Sequence, residues 1–147
     1  MAPLDRLFRL LAFVTLLAAS PALAQSPSNL PAPEKRAIRS VIEAQMSAFQ
    51  SDDGERAFGY ASPHIRGLFR TADNFMSMVR KGYQPVYRPR DTRFGDLVDI
   101  DTTLIQKVYV TGPDGHPALA LYVMEKQADG TWRINGCMIA EPDDEAV

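Results

Sequence analysis

Few side chains in this sequence have the chemistry of a reaction centre, and each has a plainer use beside it. Ser62-Pro63-His64 sets a hydroxyl two residues from an imidazole, the pair a hydrolase needs when the base lies within hydrogen-bond reach. Ser62 is equally a helix cap ahead of a proline in the first helical position, which leaves His64 in an opening turn with no acid to orient it. His116 falls beside a glycine- and proline-rich turn, and two histidines so far apart with a single cysteine make no zinc pattern. Asp96, Asp99 and Asp101 offer oxygen ligands, but without the glycine and terminal glutamate of a calcium loop. Cys137 is the lone cysteine. It cannot close an intramolecular disulfide, and its expected state is that of a small buried hydrophobe rather than a reactive thiolate. Proton abstraction beside a carbonyl needs a base held inside the fold, and only Glu125, late in an apolar strand, is placed to supply an inward carboxylate. No catalytic set, metal site or cofactor is expected.

Binding chemistry is better represented. Arg80, Lys81, Arg88, Arg90 and Arg93 are set against Asp91 alone in a stretch that also carries Tyr83 and Tyr87. Guanidinium groups and phenols together can hold a carboxylate, a phosphate or an aromatic ring. Gln45 lies inside the apolar stripe of a helix, where an unpaired amide costs about 1–3 kcal/mol, so it bonds a neighbouring element or faces a polar pocket. The ligand-binding candidates are Gln45, Tyr83, Tyr87, Arg88 and Cys137, with Arg88 as charge partner and the tyrosines as walls. The expected ligand is small and anionic or aromatic.

The elements that must position these groups follow from local patterning. Arg6 and Arg9, the apolar run from Leu10 to Ala19, and Ala22-Leu23-Ala24 read as a secretory signal cleaved after Ala24. The run is too short for a membrane span of roughly 20 residues. The expected destination is periplasmic or secreted. Residues 25–33 hold three prolines and suit a loose leader; 34–141 form one domain, and 142–147 an acidic tail. Ile38, Val41, Ile42, Met46 and Phe49 make one helical stripe. An Asp52 cap with Glu55 three residues on starts a second helix, Ser62 a third, and Thr71 a fourth that stops at Gly82. Pro85 and Pro89 predict an extended or turn segment over 83–90.

The second half changes period. Strands are expected at 103–111, 118–126 and 131–140, joined by glycine turns at 112–115 and 128–130. Plain alternation in the last strand groups Cys137 with Asn135 and Arg133, opposite Trp132, Ile134 and Met138. The middle strand is apolar on both parities, Leu119, Leu121 and Val123 against Ala120, Tyr122 and Met124. Helices can cover one face, and the other calls for a folded-over sheet or a second subunit, which predicts a homodimer. Helices followed by a curved antiparallel sheet make an α+β plan.

Several blocks carry a family resemblance. Val41-Ile42 with Gln45 and Ala48-Phe49-Gln50, Asp52-Asp53-Gly54 with Ala57-Phe58, and Ala61-Ser62-Pro63 are three. Phe75-Met76 with Met78-Val79-Arg80, Tyr83 with Pro85-Val86-Tyr87-Arg88-Pro89, and Trp132-Arg133-Ile134 with Gly136-Cys137 are the others. Together they resemble an exported bacterial family of domain of unknown function 4864. That family is similar to the nuclear transport factor 2-like, or cystatin-like, superfamily. The resemblance implies helices packed into the concave side of a curved sheet, forming a cone with a pocket. It implies no activity, because that superfamily hosts isomerases, dehydratases, ligand binders and dimerisation modules.

Composition bounds the function classes. The 147 residues are 46% hydrophobic and carry a formal charge of −2, which fits one globular domain and disfavours a generally basic nucleic-acid binder. The average hides a polarised chain, +5 over residues 66–93 (seven basic, two acidic) and −7 over 94–147 (three basic, ten acidic). The expected function is small-ligand binding or an accessory role without catalysis. A cofactor-free isomerase- or hydrolase-like enzyme is the first alternative. A structural homodimer whose pocket is packed shut by Phe75, Met76 and Met78 is the second.

Overall fold

A computed structural model describes residues 25–143. The signal segment expected over residues 1–24 and the last four residues of the acidic tail lie outside the described residues. Helix α1 (Ala32–Gln50) has proline in its first turn and buries Ile38, Ile42, Gln45, Met46, Ala48 and Phe49, one stripe at helical spacing. Helix α2 (Gly54–Gly59) is capped by Asp53, whose carboxylate accepts from Arg56 N at 3.2 Å. The expected cap, Asp52, is displaced by one residue: it takes a left-handed φ of 51° and turns its carboxylate to the basic segment. Helices α3 (Pro63–Phe69) and α4 (Ala72–Gly82) start on the expected caps, Ser62 accepting from Ile65 N and Thr71 from Asn74 N. The segment expected to be extended contains a one-turn helix, α5 (Gln84–Tyr87). Pro85 sits in its first turn, where the missing N–H has no intrahelical partner to lose.

Among the described residues, five strands form one antiparallel sheet in sequence order: β1 (Ser26–Pro27), β2 (Asp91–Ile100), β3 (Thr103–Thr111), β4 (Pro117–Lys126) and β5 (Trp132–Ala140). The leader is less loose than its prolines suggest. Ser26 and Pro27 pair with Asp99 and Val98, and Ser28 N donates to Leu97 O at 2.8 Å. Strand β2 was not expected. A bulge between Phe94 and Leu97 breaks its period-two pattern, and Asp96 and Asp99 are strand residues rather than loop ligands. Buried Gln106 on β3 services that bulge, its Nε2 donating to Gly95 O and Lys107 O at 2.9 Å each and Asp96 O at 3.4 Å. Gly95 is required there, because a Cβ would come within 2.5 Å of the Tyr109 ring.

The inner sheet face, with Val108, Val110, Ala120, Tyr122, Met124, Trp132 and Ile134, packs on Ile38, Ile42, Phe49, Phe58, Phe75 and Val79 to form the core. On the outer face Asp143 accepts from Lys107 Nζ at 3.0 Å and Tyr109 Oη at 2.7 Å. Leu121 and Val123 are half-buried there, and Met138 is 52% exposed.

Two carboxylates tie the helical layer together and to the sheet. Glu34 at the start of α1 accepts from Trp132 Nε1 at 2.6 Å and Lys126 Nζ at 3.1 Å. Asp52 accepts from Tyr87 Oη and pairs with Arg88 at 2.8 Å. The Trp132 bond, then Lys126, holds Glu34 below its ordinary 4.5, and the Tyr87 bond, then Arg88, holds Asp52 below 3.8. Carboxyls depressed in the folded state stabilise it above their unfolded values, and that contribution is lost as pH falls through the folded ones. The urea midpoint is therefore expected to fall from about pH 4.5 downward, less steeply in Glu34→Gln. An identical acid limb in that variant would remove Glu34 from this account.

Candidate functional site

A cavity of about 310 Å³ lies between the helices and β5. Gln45 and Phe49 of α1, Ile65, Leu68 and Phe69 of α3, and Phe75, Met78 and Val79 of α4 wall one side. Ala61, Tyr83 and Val86 extend that wall, and Tyr122, Ile134, Gly136 and Cys137 form the sheet side. Leu68 is 63% exposed at its edge. The packed-shut alternative is corrected here: Phe75 and Met78 line open space, and only Met76 is absorbed into the core, filling the room above Gly54.

Strand β5 places Cys137 by an irregularity that its sequence does not announce. Val123 pairs with Gly136 while Met124 pairs with Ile134, so Asn135 is the extra residue of a bulge. Cys137 thereby joins Trp132 and Ile134 on the inner face, the reverse of plain alternation. The surplus Asn135 side chain accepts from Ser62 Oγ at 2.7 Å, beside Ser62 N to Ile134 O at 2.8 Å and Ile134 N to Tyr60 O at 2.9 Å. Ser62 is thus fully buried and bonded at the helix–sheet seam, and it is no nucleophile for His64.

The polar groups of the cavity are all uncharged. Gln45, 3% exposed, donates Nε2 to Ala57 O at 3.2 Å, and its Oε1 accepts no hydrogen bond from the described residues. Tyr83 Oη donates to Cys137 O at 3.0 Å, and burial raises its pKa. Tyr122, 1% exposed and cross-strand from Cys137, keeps a buried Oη with no geometric hydrogen-bond partner among the described residues. Burial foremost pushes the Cys137 thiol up to about 12, far above the range of a working nucleophile.

Of the five sequence candidates, Gln45, Tyr83 and Cys137 line the cavity, and Tyr87 and Arg88 do not. Arg88 donates to Phe49 O in the last turn of α1, pairs with Asp52, and lies 4.0 Å over the Tyr87 ring. Its charge is spent on a helix end and a strained turn, outside the cavity. Tyr122 carries one faint signal in the sequence, a hydroxyl in the apolar row Ala120, Tyr122, Met124.

Among protein-family models, the domain of unknown function DUF4864 matches residues 31–147. The chain belongs to this family. Neither the curated proteins nor the solved structures gave a match. The helices packed on an open, curved antiparallel sheet give this DUF4864 chain the nuclear transport factor 2-like, or cystatin-like, α+β fold.

Among the described residues, none that lines the DUF4864 cavity is a carboxylate, an imidazole or a cation. His116 pairs with Asp114 on an exposed turn, and the Glu125 carboxylate accepts from Gln127 Nε2. Among the described residues, no three His, Cys, Asp or Glu side chains gather as a metal-holding group. The arrangement suits enclosure of an apolar body with a few neutral hydrogen bonds.

Proposed function

We propose that this DUF4864 protein binds a small, uncharged, largely aromatic ligand in the cavity and performs no catalysis on it. The carrying observation is a cavity of about 310 Å³ walled by apolar side chains and edged only by neutral polar ones. The sequence expectation of an anionic ligand loses its support, because Arg88 is engaged elsewhere. An anion in an apolar cavity without a cation would forfeit its hydration uncompensated. Naphthalene is expected to raise the melting temperature saturably, and Met78→Trp, which fills the cavity, is expected to abolish the rise. At a hundred times Kd the gain is about 2.7 kcal/mol. If no neutral aromatic compound shifts the melting temperature, the binding reading fails.

The apolar signal segment supports export, and half-buried Leu121 and Val123 beside exposed Met138 support pairing of two outer sheet faces. A mature N-terminus elsewhere than Gln25 would contradict the cleavage site, and a monomer in sedimentation equilibrium at high micromolar concentration would contradict the dimer.

A further inference from the structure

We infer that the ligand carries an uncharged hydroxyl group, held in the cavity by Tyr122 and Gln45. The inference rests on the binding function proposed above and names the class of compound that the same cavity selects. Tyr122 Oη is the one buried side-chain polar atom among the described residues without a protein partner. Leaving such a group unpaired is costly, and phenylalanine would fill the same volume without that cost. Its neighbours give it little relief. Tyr83, the other cavity phenol, is already bonded to Cys137 O, and the Cys137 sulfur beside Tyr122 is a neutral, weak partner.

Gln45 supplies the complementary half. Its Nε2 is committed to Ala57 O, which fixes the amide and leaves Oε1 as an acceptor in the cavity wall. The cavity wall thus carries one O–H donor, packed just beneath its surface, and one amide acceptor. A hydroxyl matches both because it accepts and donates at one atom. A ketone or ether would use only the donor, and a carboxylate would meet Oε1 as a repelling neighbour with no cation to balance it. A cavity of about 150 Å³ accepts benzene, so about 310 Å³ suits two fused rings. The apolar edge at Leu68 receives the part of the ligand remote from the hydroxyl.

Calorimetric titration of the protein at pH 7 with 2-naphthol, naphthalene and 2-naphthoate separates the possibilities, with Tyr122→Phe as the variant. In the wild type, 2-naphthol is expected to bind about tenfold more tightly than naphthalene, the equivalent of one well-made hydrogen bond. No binding of 2-naphthoate is expected. Tyr122→Phe should bring 2-naphthol close to naphthalene while melting no lower than wild type, since the hydroxyl has only the weak Cys137 sulfur beside it. Equal binding of naphthol and naphthalene by the wild type overturns the hydroxyl inference and leaves the binding function standing. A naphthol advantage that survives in Tyr122→Phe, or tightest binding of 2-naphthoate, also overturns it. Failure of all three compounds overturns the inference and the binding function together.

Discussion

Thiol reagents are expected to label Cys137 in the native protein about a thousandfold more slowly than in the unfolded chain. The thiolate is the reacting species, and moving the thiol from its ordinary 9.0 to about 12 lowers the thiolate population at neutral pH by about three orders of magnitude. Burial dominates that shift, and Tyr122 opposes it only in part. The geometry behind it is the β5 bulge, which turns the sulfur inward next to Tyr122. A reagent assay at pH 7, with and without denaturant, measures the ratio directly. Labelling of native protein at the unfolded rate would place the sulfur on the solvent face and dismantle this account of the cavity floor. Slow labelling also suits an oxidising compartment, where a lone accessible thiol would cross-link or oxidise.

Gln106→Leu is expected to destabilise the fold by about 2–4 kcal/mol, although it removes no apolar contact. The side chain is 1% exposed, and its amide serves carbonyls that the β2 bulge has taken out of the ladder. Each carbonyl left buried without a donor costs about 1–3 kcal/mol, and the two shortest bonds, each taken at about 1–2 kcal/mol because the strands can relax around them, set the estimate. In a domain of this size the melting temperature should fall by about 10 °C, with a matching drop in the urea midpoint and an unchanged slope. A loss below about 1 kcal/mol would mean that the bulge closes or hydrates once the amide is gone.

What the sequence discloses of this fold is what short-range chemistry decides. Ser62 and Thr71 each satisfy an N–H three residues ahead, so the starts of α3 and α4 are legible from a few letters. Strands β3 and β4 are legible because their turns carry glycine at positive φ, Gly115 and Gly130. Strand β2 is not, because its bulge and its aspartates disguise the alternation on which strand recognition rests. The basic stretch is visible as charge, but its destination is not. Its acid is Asp52, 36 residues before Arg88, and only the packing of α5 beside the end of α1 brings them together. The same holds within the cavity. Gln45 stands out in sequence as an amide in an apolar stripe, whereas Tyr122 becomes notable only once every possible partner of its hydroxyl has been placed.

Asn135 also determines where this domain can change length. Because it is the residue surplus to the β4–β5 pairing, deleting it would leave Ile134 and Cys137 on the inner face and Met138 on the outer. The cavity floor would keep its composition, and only the Ser62 attachment would be lost. A deletion at Arg133, by contrast, would make the strand choose between keeping its bulge and keeping its inner face, since a one-residue slip exchanges the two sides of a sheet. Among sequences of different length that share this architecture, gaps in β5 should therefore collect at Asn135 or Gly136, with the Ser62 hydroxyl replaced where Asn135 is the residue lost.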